Sequence, residues 1–163
     1  MKISIIVAIA KNNAIGRNNE LLWHISGDLK RFKKITTDHI VIMGRNTYLS
    51  LPNHPLPNRR NIVISHIPEE DKLNFIAAEV VANLEEALLI ADKENENFII
   101  GGGMIYKQFL PIANKLYLTQ VYQEYEADTF FPEIDFAQWN EISREDHFDM
   151  NPPFSYLIFE KIP

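Results

Sequence analysis

Asn97-Phe98-Ile99-Ile100-Gly101-Gly102-Gly103-Met104-Ile105-Tyr106-Lys107-Gln108-Phe109-Leu110 passes from an apolar run, through three glycines, into a helical pattern that stops near Pro111. Residues 97–100 are short and apolar enough for a buried strand, and residues 104–110 read as helix. A strand that turns directly into a helix is the building unit of an α/β sheet. Ile42-Met43-Gly44-Arg45-Asn46-Thr47 repeats the device, with a strand over 39–43 and a short helix over 44–50 ended by Pro52. Working outward, residues 3–10 form a continuous apolar run, as expected of a central strand covered on both faces. Residues 61–65 and 115–121 are further strands, and 78–81 a weak one. Asn83 with Glu86 three residues on resembles a capping box, opening a helix to about residue 92. Residues 140–148 and 155–161 flank Pro152-Pro153 and predict an antiparallel hairpin. Between these elements, 11–24 reads as a long connection and 66–75 as polar loop. The segment 52–58 is irregular, because three prolines remove donors and fix φ. The pattern predicts an α/β fold: a mostly parallel central sheet flanked by helices, with right-handed crossovers and a C-terminal antiparallel hairpin. Residues 1–163 read as one domain without repeat, low-complexity segment or linker.

Composition narrows the function. The 163 residues are 46% hydrophobic and 23% charged, with a formal net charge of -6, so there is no basic footprint for nucleic acid. The absence of cysteine removes disulfides, thiolate metal sites and cysteine nucleophiles together. The histidines (24, 39, 54, 66 and 147) lack metal-ligand spacing, and no metal is expected. The first ten residues have the outline of a minimal signal peptide, but the run is short and β-branched, which suits a strand. A cytoplasmic monomer is expected, and no run approaches membrane-spanning length.

The chemistry-bearing stretch is Leu21-Leu22-Trp23-His24-Ile25-Ser26-Gly27-Asp28-Leu29-Lys30-Arg31-Phe32. Ser26 reads as a helix N-cap. Leu29, Phe32 and Ile35 follow at core spacing, and Asp28 lies along the edge of that stripe. Asp28 either supports the helix N-terminus through the macrodipole or is a lone acid in a hydrophobic slot, suited to a cationic or amidine-like ligand edge. Neither glycine junction fits the dinucleotide fingerprint G-x-G-x-x-G or the P-loop, and singly each reads as a tight turn. Two in one small sheet look more like the two ends of a dinucleotide site.

In this order and spacing, several groups resemble dihydrofolate reductase from end to end. They are Ile6-Val7-Ala8, Ile15-Gly16, Trp23, Asp28-Leu29 with Phe32, Val41-Ile42-Met43-Gly44-Arg45, and Leu56-Pro57 with Arg59. Further on come Ile62-Val63-Ile64-Ser65, Ile100-Gly101-Gly102-Gly103 with Tyr106, Tyr117-Leu118-Thr119, and Asp128-Thr129 with Phe131-Pro132. The resemblance implies NADPH-dependent reduction of dihydrofolate to tetrahydrofolate, with hydride delivered to C6 and a proton from water at N5. It implies that Asp28 accepts hydrogen bonds from the pterin edge with Thr119 behind it, while Trp23 and Leu21-Leu22 close over the site. Leu29, Phe32, Leu51 and Leu56 would line the aminobenzoyl slot, with Ile6, Val7, Ile100 and Tyr106 completing the substrate set and Arg59 taking the glutamate α-carboxylate.

On the cofactor side the same resemblance implies Ala8, Ile15 and Gly16 at the nicotinamide. Arg45, Asn46, Thr47, Gly102, Gly103 and Met104 would surround the pyrophosphate, and Ser65 with His66 the 2′-phosphate. Gly44, Ile64, Ile100, Gly101, Ile105 and Tyr106 complete that set. Two positions depart from the family: Leu22 stands where proline is frequent, and Met104 where many bacterial members carry arginine. Antifolate inhibitors are expected ligands. A related pterin or pyrimidine reductase is the nearest rival reading, and a non-catalytic nucleotide-binding module the rival from another class.

Overall fold

The computed structural model describes residues 1–17, 21–25 and 27–163. The chain runs β1 (Lys2–Ile9), β2 (Ala14–Gly16), α1 (Asp28–Thr36), β3 (Ile40–Gly44), α2 (Arg45–Ser50), β4 (Arg60–Ile64), α3 (Pro68–Asn74) and β5 (Glu79–Val81). It continues with α4 (Leu84–Ile90), β6 (Glu96–Gly101), α5 (Gly103–Phe109), β7 (Lys115–Val121), β8 (Thr129–Phe130), β9 (Trp139–His147) and β10 (Phe154–Lys161). Eight strands form one sheet in the order β5-β4-β3-β6-β1-β7-β10-β9. Every pairing from β5 across to β7 is parallel, and β10 is antiparallel to both β7 and β9. The predicted mostly parallel sheet with a C-terminal antiparallel pair is therefore what forms. Among the described residues no helix is long and apolar enough to cross a membrane.

Strand period two divides the core into two layers. Ile3, Ile5, Val7 and Ile9 of β1 pack on one side with Ala87 of α4 and with Ile105, Tyr106 and Phe109 of α5. Ile6 points to the other side, with Ile35 of α1 and Tyr48 of α2. The chain leaves β1 toward β3 by way of α1, and leaves β6 toward β7 by way of α5. The adjacent strands β1 and β6 thus send their connections over opposite faces. In an open α/β sheet that divergence opens a crevice at the carboxyl ends of the two strands, where ligands bind.

Three local expectations need correction. Residues 66–75, expected as polar loop, contain α3; Pro68 sits in its first turn with φ preset, and Glu69, Glu70 and Asp71 complement the dipole there. That helix carries little apolar periodicity, since Leu73 is exposed, which is why the pattern was silent. Residues 11–24, expected as plain connection, hold β2, which pairs antiparallel with β8. Strands this short leave no readable alternation. Leu29, Phe32 and Ile35 have core spacing, yet Leu29 is 67% exposed and Thr36 is the only buried residue of α1. The apolar face of α1 borders an opening instead of the packed core. The expected cap Ser26 lies outside the described residues; Gly27, at φ +88°, precedes the first turn. At α4 the cap forms as read: Asn83 Oδ1 accepts from the Glu86 amide at 2.9 Å, while the Glu86 carboxylate accepts from Ala82 N–H at 2.8 Å.

Candidate active site

Asp28 opens α1 above the carboxyl end of β1. Thr119 of β7 lies opposite Ala8 of β1 in parallel register, and its hydroxyl donates to Asp28 Oδ1 at 3.0 Å. Burial pushes the Asp28 carboxyl above its ordinary value, while the Thr119 hydrogen bond and the Arg31 charge pull it back. Arg31, one helical turn after Asp28, stacks its guanidinium 4.2 Å from the ring centre of Tyr156. Tyr156 in turn pairs with Thr119 across β10 and β7. The acid is therefore neither a solvated cap nor a closed ion pair; it is a half-buried carboxylate held from behind.

The slot beneath it is apolar and incompletely covered. Ile6, Ala8 and Ile100 belong to central strands, where full burial is expected, yet each stays partly open, as do Phe32, Leu51 and Leu56. Partial exposure of central-strand residues marks a crevice. Val7 is buried in the opposite layer, so only its backbone faces this one. Arg59 reaches the slot from the proline-rich segment: its Nε donates to the Pro57 carbonyl at 2.9 Å and its Nη1 to Thr36 Oγ1 at 3.0 Å. Its guanidinium lies 5.9 Å from the Phe32 ring centre. Trp23 packs on Tyr125 with ring centres 5.1 Å apart, and Ile25 beside it is buried with Val121 and Phe154. Leu21 is exposed.

The two glycine junctions come together because β3 and β6 are neighbours, with Met43 opposite Gly101. Gly101 has φ +124°, a conformation closed to L side chains, and a Cβ there would meet the Tyr106 ring at 3.3 Å. A Cβ on Gly103 would meet the Thr129 methyl at 2.9 Å. Tyr106 is buried beneath this turn, its hydroxyl donating to the Ile6 carbonyl at 2.9 Å, and burial raises its pKa steeply. Tyr106 and Ile105 thus support the junction from the core. Gly44, Thr47 and Gly102 rim it, with Asn46 and Met104 exposed. At the other side Gly16 O accepts from Asp128 N at 3.1 Å, and Ile15 is partly open.

Beyond β4, Ile64 is buried, His66 is exposed, and Ser65 is buried with its hydroxyl donating to Asp71 at 2.6 Å. Arg45 Nε donates to the same carboxylate at 2.9 and 3.2 Å. Sequence reasoning missed Asp71, Arg31 and Tyr156. An aspartate closing the first turn of an unpredicted helix carried no signal, whereas Arg31 at i+3 from Asp28 could have been flagged. A dinucleotide fits these features: a turn too tight for side chains, a cation at its edge, and apolar strand ends leading to an acid. An open groove beside β2 and β8, lined by Asn12, Arg17, Glu124, Tyr125, Glu126, Ala127, Asp128 and Phe130, shares none of the strand-end residues of β1 and β6.

A family model described as dihydrofolate reductase matches residues 2–161. The chain is 41% identical to the dihydrofolate reductase of Bacillus subtilis, covering 98% of this chain and 94% of the relative. It is 46% identical to that of Buchnera aphidicola, covering 97% of each. Among solved structures, dihydrofolate reductase from Enterococcus faecalis complexed with NADP(H) and RAB-propyl superposes with a TM-score of 0.88 at 31% identity. That match covers 99% of this chain and 97% of the other.

Proposed function

The chain belongs to the dihydrofolate reductase family, and on that premise we propose how its own residues serve the reaction. The protein is an NADPH-dependent oxidoreductase that reduces 7,8-dihydrofolate to 5,6,7,8-tetrahydrofolate, the form used in one-carbon metabolism. NADPH, when bound, supplies the hydride that goes to C6.

Asp28 accepts hydrogen bonds from N3 and the 2-amino group of the pterin. Because the slot is apolar, a charge-assisted bond there is stronger than one in water. Thr119 fixes the carboxylate from behind, and Ile6, Ala8 and Ile100 form the floor on which the ring lies. Water supplies the proton at N5, and Trp23 with Leu21 and Leu22 limits how much water enters. Phe32, Leu29, Leu51 and Leu56 hold the aminobenzoyl ring; the exposure of Leu29 fits a residue that a ligand would cover. Arg59, its plane set by Pro57 and Thr36, takes the α-carboxylate. Ile15 and Gly16 would hold the nicotinamide beside Ala8. Gly44, Arg45, Asn46, Thr47 and Gly101 to Met104 would hold the pyrophosphate, and His66 and Arg45 the 2′-phosphate. Ser65, whose hydroxyl is spent inward, contributes through its backbone.

The observation that carries this reading is the bond from Thr119 to Asp28 in a slot whose other walls are apolar and partly open. We further propose that residues 1–163 act as one cytoplasmic, monomeric domain with no nucleic-acid partner, on the ordinary composition and the net charge of -6. Mixing the protein with NADPH and dihydrofolate should bleach the reduced-nicotinamide absorbance, and replacing Asp28 by Asn should nearly abolish it. A pterin reductase of similar topology would be indifferent to the glutamate tail and hence to Arg59. A nucleotide-binding module would leave NADPH unoxidised.

A further inference from the structure

Asp71 is fully buried, yet no role in folate or cofactor binding has been given to it above. Its Oδ2 accepts from Ser65 Oγ at 2.6 Å and from Arg45 Nε at 2.9 Å, and its Oδ1 accepts from the same Nε at 3.2 Å. Ser65 Oγ in turn accepts from Ile67 N–H at 3.0 Å. One carboxylate thus ties the first residue of α2, the residue after β4 and the helix α3 into a single knot. Arg45 stays one-third exposed while its partner is closed off. The clamp engages Nε and leaves the two Nη groups of the fork outside it.

We propose that Asp71 is a positioning residue for cofactor choice: by gripping Arg45 at Nε it fixes the guanidinium with its Nη edge free to take the 2′-phosphate of NADPH. The proposal rests on the reading of Arg45 as the phosphate-facing cation. An arginine free at a surface must give up its rotamer freedom when a phosphate arrives, and one already clamped gives up little. A carboxylate near a phosphate would ordinarily repel it. Here the acid is buried, and both its oxygens are already engaged by donors.

The test is equilibrium binding of NADP⁺ and NAD⁺ to the full chain by calorimetry, in wild type, Asp71→Asn, Arg45→Gln and the double variant. Asn keeps the shape and one acceptor but loses the charge that grips Nε. Asp71→Asn is expected to weaken NADP⁺ about tenfold, as for loss of one charge-assisted bond, and to leave NAD⁺ within about twofold. In the Arg45→Gln background the same change should leave the ratio of the two affinities where it was. A role confined to stability would lower the melting temperature and leave the ratio unmoved, which overturns the proposal. A ratio that rises in Asp71→Asn overturns it too, showing a repelling charge. If Arg45→Gln itself leaves the ratio at its wild-type value, the reading of Arg45 fails, and the clamp's role with it. Should Asp71→Asn not fold, the wild-type protein still decides. The NMR signal of Arg45 Nε–H is expected to hold its position when NADP⁺ is added while the Nη signals move, and a displaced Nε–H overturns the proposal.

Discussion

Thr119 Oγ1 donates to Asp28 Oδ1 at 3.0 Å, joining two residues 91 positions apart in the chain. The bond favours the ionised acid, against a burial effect that favours the neutral one. The Arg31 charge works on the same side as Thr119, more weakly. Thr119→Val should therefore raise the Asp28 pKa further, and Arg31→Met should raise it less. Affinity for dihydrofolate depends on the ionised acid, so it declines as pH falls through that pKa. Titrating binding across the acid range should show the decline beginning at higher pH in Thr119→Val than in Arg31→Met, and in both above wild type. At neutral pH Thr119→Val should lose about tenfold in kcat/KM through a poorly held acid. Coincident titrations would mean that neither residue tunes Asp28.

Asp28→Asn separates function from stability. The variant keeps an acceptor for Thr119 but loses the negative charge, and kcat/KM should fall by on the order of a hundredfold. Its effect on folding runs the other way. The folded-state pKa of Asp28 lies above its ordinary value of 3.8, so the folded protein binds more protons through that window. The resulting stability is present in full below the unfolded pKa and is lost as pH rises through the folded one. Asn has no such loss. The melting temperature of ligand-free Asp28→Asn, compared with wild type, should therefore improve between pH values below and above that window. An unchanged difference would mean that Asp28 titrates normally.

Why some of this was legible in sequence and some was not follows from which signals are local. The strands β1, β3, β4, β6 and β7 are unbroken apolar runs, and their partners followed from the α/β alternation. The Gly101–Gly103 turn was legible because only glycine survives at φ +124° beneath a tyrosine ring. What α1 does was misread: Leu29, Phe32 and Ile35 have the same spacing whether a helix faces a core or a cleft, and only the packing separates the two. The Asp71 knot was invisible for a different reason. It unites α2, β4 and α3 through side chains, and no periodicity encodes a buried acid whose partners lie 6 and 26 residues away.

The junction between β6 and α5 should be the most sensitive backbone in the protein. Gly101→Ala forces a side chain into a positive-φ position 3.3 Å from the Tyr106 ring, and both faults should together cost roughly 2–4 kcal/mol. Tyr106→Phe removes only the hydroxyl that donates to the Ile6 carbonyl, leaving that buried acceptor with one partner fewer, at about 1–2 kcal/mol. Urea unfolding of the two variants gives the order directly. Equal losses would show that the ring contact and backbone conformation at Gly101 carry no penalty of their own.

Arg59 offers the sharpest separation between ligand classes. Its Nε and Nη1 are engaged by Pro57 and Thr36, so the guanidinium plane is set before any ligand arrives, beside the Phe32 ring. The donors left over can take a carboxylate as a fork, which costs little ordering on binding. Arg59→Ala should weaken folates bearing a glutamate tail by about 10- to 100-fold, the value of a charge-assisted pair. Small diaminopyrimidine inhibitors carry no α-carboxylate and should bind within about twofold of wild type. Arg59→Lys keeps the charge without the fork and should fall between the two. Thr36→Val removes one of the bonds that set the plane and should reproduce part of the folate loss, again sparing the inhibitors. Inhibition constants for one compound of each class, measured across these variants, decide the matter. Equal weakening of both classes would show that Arg59 holds the proline-rich segment in place and does not read the tail.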